Sequence, residues 1–511
     1  MDAADIEDIN TFFLLCGAAL VFFMQAGFAM LEVGSVNVLN LQLATATVLL
    51  KNIMDAAIGA LCWWATGFGL AYGDSPSGFA GTTQFGLDER YFEERGVAGS
   101  SGYMYAKWIF SWTFAATSTT ILSGAVAERC TAFSYVTYTI FCISVVYPLV
   151  ACWAWNPNGW LSAKRDHEAL LGCGVVDFAG SGVVHLLGGT AALVGASMVG
   201  PRQSFANGSL QTPMYGPIFQ TLGTLILWFG WFGFNAFSHG SLIGSSQIAG
   251  RAACNTALAG ATGGLVAGFL GNYLEVKDAD KLNKTMKSKK PEEPGGEAGK
   301  FNSTTGRNYE ASLFWSNNGV LAGLVGISAG CATARPIGAF VGAICSAVVY
   351  VVGSRYIKRT GIDDVVDATA IHGFCGALGV LLAALFTTPE NYLQVYGSSK
   401  GRADKCAGVF YGGDGTSLAT ALIFVLVVVA WTTLSVGFIF HVLRSFYVLR
   451  IPIAIEESGL EESQNGRHFL VEMGSNKTIG GPNMSPPGSF DNMAQIIAAP
   501  APAIGRQVPA V

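Results

Sequence analysis

Charge is scarce in this chain. Only 12% of its residues are Asp, Glu, Lys or Arg, against 51% hydrophobic, where a soluble globular protein carries about 25% charged residues. That shortage excludes an ordinary soluble domain and places the chain among membrane proteins. The formal net charge of −5 is shallow and gives no reason to expect a nucleic-acid partner. The GxxxxGK-Ser/Thr phosphate loop and the HExxH metalloprotease pattern are both missing, so ATP-driven pumping and that hydrolytic chemistry lack support. Nothing resembles a nucleophile or an acid pair for an intramembrane enzyme, and no metal or cofactor is expected. A retinal protein would need a lysine deep in a late helix, whereas Lys51 and Lys107, the lysines inside apolar runs, both come early. The N-terminus carries Asp2, Asp5, Glu7 and Asp8 where a cleavable signal would be basic, so none is expected. Most of the eleven cysteines, such as Cys16, Cys62, Cys142, Cys345 and Cys375, fall in apolar segments and read as small buried hydrophobes. No disulfide framework follows, although Cys173 and Cys406 fall in two loops on one side, which leaves a single bridge open.

Long apolar runs dominate what is present. They recur at roughly 11–33, 44–72, 105–127, 131–153, 176–200, 215–237, 250–273, 312–332, 335–353, 366–388 and 415–445, and each approaches the roughly 20 residues that cross a bilayer. Glycine, at 65 residues, lies largely inside these runs, as expected of helices that associate by close packing of small faces in lipid. The odd number of spans puts the termini on opposite sides. Residues 1–10 precede the first span, 11–445 form the transmembrane domain, and 446–511 form a tail whose Pro, Ser, Gly and Ala-rich end predicts disorder.

Orientation is read from lysine and arginine. The loop at about 274–311 holds Lys277, Lys281, Lys284, Lys287, Lys289, Lys290, Lys300 and Arg307, and the loop at 354–365 adds Arg355, Lys358 and Arg359. Both lie on the C-terminal side, so the positive-inside rule predicts a cytosolic C-terminus and an external N-terminus. Every Asn-x-Ser/Thr sequon (Asn207, Asn283, Asn302, Asn476, Asn483) falls on the same cytosolic side. The polar stretch from Lys281 to Lys300 is expected to be a solvated loop.

Few ionisable side chains occur mid-membrane, where each costs about 2.5 kcal/mol or more to insert and usually faces an interior path. Of six histidines, His185 and His372 lie deep in spans, in VVHLLGG (Val183 to Gly189) and AIHGFCGALG (Ala370 to Gly379). The two segments are five spans apart, and an odd period makes the halves antiparallel. The fold expected is an all-α polytopic membrane protein of eleven transmembrane helices, a pseudo-two-fold inverted 5+5 repeat with a long final helix, its matching helices meeting at the midplane. Two buried imidazoles there can bond one another and leave a donor or acceptor for a passing solute. The plainer alternative is a pair of satisfied packing histidines.

Asp177 opens the fifth run eight residues before His185, so it either attracts a cation or caps the helix by accepting backbone N–H bonds. Phe110 and Phe114 are four apart, as are Phe234 and Ser238, and Trp153 and Trp155 close the fourth run. Aromatic faces attract cations by about 0.5 to 2 kcal/mol, but Trp and Phe at membrane interfaces are also ordinary belt residues.

With these residues assembled, the chain resembles the ammonium transporter family (Amt/Mep, with Rhesus glycoproteins as distant relatives), in particular its plant and algal members. The matching strings are QAGFAMLEVGSV (Gln25 to Val36), TFAATSTTILSGAVAER (Thr113 to Arg129), DFAGSGVVHLLGG (Asp177 to Gly189), GWFGFNAFS (Gly230 to Ser238) and DDVVDATAIHGFCGALG (Asp363 to Gly379). The resemblance implies a plasma-membrane homotrimer with one pore per subunit, carrying ammonium or its analogue methylammonium through the lipid bilayer. It implies an outer recruiting site of Trp155, Phe114 and Ser238 supported by Asp177, a phenyl gate of Phe110 and Phe234, and twin pore histidines His185 and His372. It further implies that ammonium sheds its proton in transit. An ammonium sensor with little flux is the competing expectation, disfavoured because only a short tail follows the last span. Departures from the family pattern are Asn37 in place of a frequent arginine, Cys152 in place of a histidine, and Glu461 in a tail motif that usually carries aspartate.

Overall fold

A computed structural model describes residues 2–37, 41–88, 101–165, 168–208, 215–289, 307–397, 399–453 and 456. Eleven long helical stretches run through them. They are α1 (Ala3–Val33), α2 (Leu41–Cys62, running on through Trp63–Gly67 and Phe68–Tyr72), α3 (Ser101–Ala125), α4 (Ala132–Trp155), α5 (Ser181–Val199), α6 (Gly216–Ala236), α7 (Ser246–Lys289), α8 (Arg307–Ser328), α9 (Pro336–Arg359), α10 (Thr369–Phe386) and α11 (Thr416–Ser445). Among the described residues no strand forms.

Among the described residues, nine of the eleven are long and apolar enough on their own to cross a membrane. One that is not, α3, is more polar because it stands inside the bundle rather than against lipid. On α3, Thr113, Thr117, Ser118, Thr119, Thr120 and Ser123 are all buried. Several of their hydroxyls donate back to carbonyls of the preceding turn: Thr113 to Phe110 at 2.7 Å, Thr117 to Thr113 at 2.8 Å and Ser118 to Ala115 at 2.7 Å, so polar side chains enter the core without orphaned donors. The rest of the bundle is apolar outward. Phe12, Leu61, Leu225, Phe269, Leu434 and Phe438 are each more than half exposed, which in water would be a large adhesive surface and in a bilayer is the lipid contact.

Two boundaries differ from the sequence reading. The first helix begins at Ala3, because Asp2 and Asp5 close a reciprocal capping box at 2.9 Å in both directions; the acidic start supplies the cap that the backbone N–H groups need. At its other side the bundle extends well past the apolar limit of α7. Its 44 residues span roughly 66 Å, about twice the hydrocarbon thickness, so the first part of the expected 274–311 loop is helix up to Lys289 and α8 starts at Arg307. Residues 290–306 and the tail motif around Glu461 lie outside the described residues, as do the sequons Asn302, Asn476 and Asn483.

The two histidine-bearing helices, α5 and α10, cross at the centre. Their crossing is closed by glycines at matching places. A Cβ on Gly189 would lie 1.9 Å from the Gly373 nitrogen, and one on Gly376 would lie 2.6 Å from the Ser181 carbonyl oxygen. Each glycine sits four residues after its histidine and rests on the histidine-bearing segment of the other helix, which is the reciprocity expected of an inverted repeat.

Candidate functional site

Both central helices open with wide, π-helical turns, Ser181–Leu186 on α5 and Thr369–Phe374 on α10, and these turns carry His185 and His372. Such turns project side chains that a regular helix would turn away, and they recur at functional sites. Each is started by a carboxylate eight residues before its histidine. Asp177 accepts from the backbone N–H of Gly180 at 3.2 Å, Gly182 at 3.0 Å and Val183 at 2.8 Å. Asp364 accepts from Ala368 at 3.0 Å and Thr369 at 2.6 Å. Asp177 therefore precedes the helix rather than riding on it, and its carboxylate is occupied as a cap. Its partner Asp364 escaped the sequence reading, although the same acid-to-histidine spacing stands in DDVVDATAIH.

The imidazoles meet. His372 Nδ1 and His185 Nδ1 are 3.1 Å apart, with ring centroids at 5.2 Å and planes inclined by 23°. One Nδ1 must donate and the other accept, so for two neutral rings one Nε2 is left as a donor and the other as an acceptor. His185 Nε2 has no protein partner among the described residues. Trp231 stacks on His185 at 5.0 Å and is held by its own N–H to Ser328 Oγ at 3.0 Å; this support was not read from sequence. Cys375, one turn beyond His372, directs its thiol to the Ser346 carbonyl at 3.4 Å and not to the ring.

Toward the face that bears the N-terminus, the ring stacked on Phe234 is Phe114, at 4.0 Å with planes 11° apart. The expected pair of Phe110 with Phe234 is thus replaced: Phe110 lies one turn earlier on α3, 4.9 Å from Phe114, because residues four apart share a helix face but only one can reach across at a given level. Phe234 in turn lies 5.4 Å from His185. Beyond the stacked rings is a cavity of about 60 Å³ bordered by Trp155, Asp177, Ser238, His239, Lys164 and Tyr396 among others. Trp155, and not Trp153, borders it. Trp153 is buried against Phe79, Trp160 and Trp431, with its N–H on the Phe79 carbonyl at 2.8 Å. Trp155 gives its N–H to the Asp177 carbonyl at 2.7 Å and so presents a ring face. Ser238 donates to the Phe234 carbonyl at 2.6 Å, which leaves its oxygen lone pairs free to accept. At the rim, burial and then the neighbouring Lys164 charge push the His239 pKa below the usual imidazole value.

The opposite ends of α3 and α5 are tied by charge. Arg202 donates to Asp363 from its backbone N (2.9 Å), Nε (2.8 Å) and Nη2 (3.0 Å), and its Nη1 bonds Glu128. Burial raises the Asp363 pKa, but the Arg202 bonds and charge, with Arg129 behind them, outweigh it and hold the carboxyl below its usual range. Asn37 joins this cluster through its backbone N–H, 3.0 Å from Glu128 Oε1. On the N-terminal face, Cys173 and Cys406 form a disulfide across 233 residues of chain.

The model of the Ammonium Transporter Family matches residues 12–283 and 303–468. The chain belongs to that family. Member 3 of ammonium transporter 1 from Solanum lycopersicum is 34% identical over 478 residues, covering 91% of this chain and 94% of that protein. Member 1 of ammonium transporter 1 from Oryza sativa subsp. japonica is 35% identical and covers 86% and 82%. Among solved structures, a "Sensor Amt Protein" superposes with a TM-score of 0.69 at 28% identity, covering 90% of this chain and 98% of that one. Mep2 of Saccharomyces cerevisiae does so at 0.66 and 24%, covering 87% and 89%, a likeness of fold. The family is one of transporters and not of enzymes, and this member is an integral membrane protein.

Proposed function

We propose that the chain carries ammonium across the membrane by binding the cation at the N-terminal face, removing its proton there, and passing ammonia along the paired histidines. The observation that carries this reading is the column of groups in one line of contact: the Trp155 and Ser238 cavity, the Phe114–Phe234 stack, and His185 bonded to His372. Ammonium and potassium are alike in charge and size, so field strength alone separates them poorly. Only ammonium donates directed hydrogen bonds, which the Ser238 oxygen accepts while the Trp155 face holds the charge. A bare cation between the apolar rings would bear a large desolvation cost. Losing a proton costs about 1.4 kcal/mol for each pH unit below the pKa of ammonium, the cheaper route. The proton then has its own path, because the bonded imidazoles present one donor and one acceptor nitrogen.

The N-terminal face is taken as external. The disulfide between Cys173 and Cys406 belongs to an oxidising compartment, and the basic ends of α7 and α9 lie opposite it. A homotrimer at the plasma membrane, with methylammonium as a transported analogue, completes the reading. A second reading, a sensor with little flux, has the solved "Sensor Amt Protein" in its favour. Cells lacking their own ammonium transport, made to express this chain, should regain growth on low ammonium and take up labelled methylammonium. Surface-delivered protein that does neither would leave the sensor.

A further inference from the structure

Below the histidines, toward the C-terminal face, lies a small cavity of about 10 Å³, close to the room one water-sized molecule needs. It is bordered by Phe28, Leu31, Thr120, Val366, His372 and, alone among these in bearing a carboxylate, Glu32. Glu32 is 1% exposed. One of its oxygens, Oε2, accepts from Ser123 Oγ at 3.1 Å and Asn52 Nδ2 at 3.3 Å. The other, Oε1, has no protein partner among the described residues. Lys51 acts on it electrostatically without joining it, since its Nζ donates to the Cys130 carbonyl at 2.8 Å. A buried carboxylate normally has both oxygens satisfied, and one held on a single side at a cavity wall is placed for exchange.

We propose that Glu32 is the inner proton-exchange group, the site where ammonia leaving the histidines becomes ammonium again. This rests on the transport reading above. The step balances as follows: the proton released from ammonium at the outer mouth crosses by the imidazoles to the Glu32 carboxylate, and the carboxyl O–H then breaks as the ammonia lone pair forms a new N–H bond. Ammonium and a carboxylate are the products, and one positive charge has crossed for each ammonium carried. Ser123 and Asn52 fix the carboxylate through Oε2 while leaving Oε1 without a protein partner among the described residues.

The test is maximal ammonium current and half-saturation concentration in oocytes, at matched surface density, for Glu32→Gln, Glu32→Met and Glu32→Asp. The transport reading is judged first and separately, by wild-type current and methylammonium uptake. Given those, loss of the exchanging group should lower maximal current by about tenfold or more in the Gln and Met chains, as general acid–base groups do, with half-saturation within about twofold of wild type because the outer site is untouched; Asp should retain most of the current. Methionine, which removes the carboxyl group without leaving an amide to satisfy, decides the matter if glutamine prevents delivery to the surface. Full current in either neutral chain overturns the proposal. So does an Asp chain as impaired as the neutral ones, which would mark Glu32 as a packing residue.

Discussion

Replacing Trp155 by phenylalanine and by leucine separates the two things this side chain does. The indole N–H bonds the Asp177 carbonyl at 2.7 Å, and the ring borders the outer cavity. Both substitutions delete the hydrogen bond, a net loss of about 0.5 to 1.5 kcal/mol in positioning. Only leucine also deletes the aromatic face. A cation over an aromatic ring gains about 0.5 to 1 kcal/mol when exposed and about 2 when desolvated, and the half-buried Trp155 falls between. Losing about 1 to 2 kcal/mol raises the half-saturation concentration about 5- to 30-fold, at 1.4 kcal/mol per decade. Concentration-dependent ammonium currents should thus place leucine several-fold above phenylalanine, with maximal current changed less than half-saturation in both. Equal values for the two variants would show that the ring face does not hold the ion. A fall in maximal current at constant half-saturation would move Trp155 out of recruitment.

The histidines and the surrounding scaffold give three further expectations. Alanine at His185 or His372 should alter ammonium-dependent current or its selectivity over potassium, and unchanged behaviour in both variants would remove the proton path. Arg202→Met leaves Glu128 and Asp363 buried without their cation, which costs about 3 to 5 kcal/mol and should lower the thermal midpoint of the detergent-solubilised protein; a midpoint unchanged at pH 7 would refute the bonding described. Because Asp363 is held below its usual range, its stabilisation is present above about pH 4, the unfolded value, and is lost as pH falls through the lower folded value; the gap between wild type and Arg202→Met should narrow there and not at higher pH. Cys173→Ser opens a loop of 233 residues that a chain-entropy account values at about 5 kcal/mol, so thermal stability should fall while half-saturation for ammonium stays fixed; a shift in the latter would place the bridge within the recruiting site.

How much of this was legible in the sequence follows the reach of each interaction. Spans are set by local composition, so the apolar runs located the helices, and the errors fell at their ends, where composition is uninformative. Asp2 caps α1 and α7 runs on through lysines because a helix needs no apolar face once it has left the bilayer. Motif residues were legible too, His185 and His372 through their matched surroundings. Ring pairings were not. Whether Phe110 or Phe114 reaches Phe234 depends on the height of α3 against α6, which no spacing within either helix encodes. Glu32 went unread as a site because its neighbours Ser123 and His372 lie 91 and 340 residues away in the chain, and only the crossing of helices brings them to one cavity.

The inverted repeat explains why the two imidazoles meet at this place. Two antiparallel halves present equivalent helices to each other only along the axis that relates them, and there the same features occur twice: a carboxylate cap, a wide turn, a histidine eight residues on, and a glycine four beyond that. Asp177 and Asp364 each accept from backbone N–H groups of the turn that follows, which holds the turns open. Gly189 and Gly376 let the helices approach until one imidazole Nδ1 faces the other at 3.1 Å. A symmetric pair of rings cannot make a symmetric hydrogen bond while both are neutral, since one must give and one take. That inequality gives the centre of an otherwise two-fold structure a direction, which on the transport reading proposed above reverses whenever a proton enters at one Nε2 and leaves at the other. The halves differ on either side of the rings: aromatic side chains and a serine oxygen border the cavity toward the N-terminal face, and the half-satisfied Glu32 borders the one toward the other.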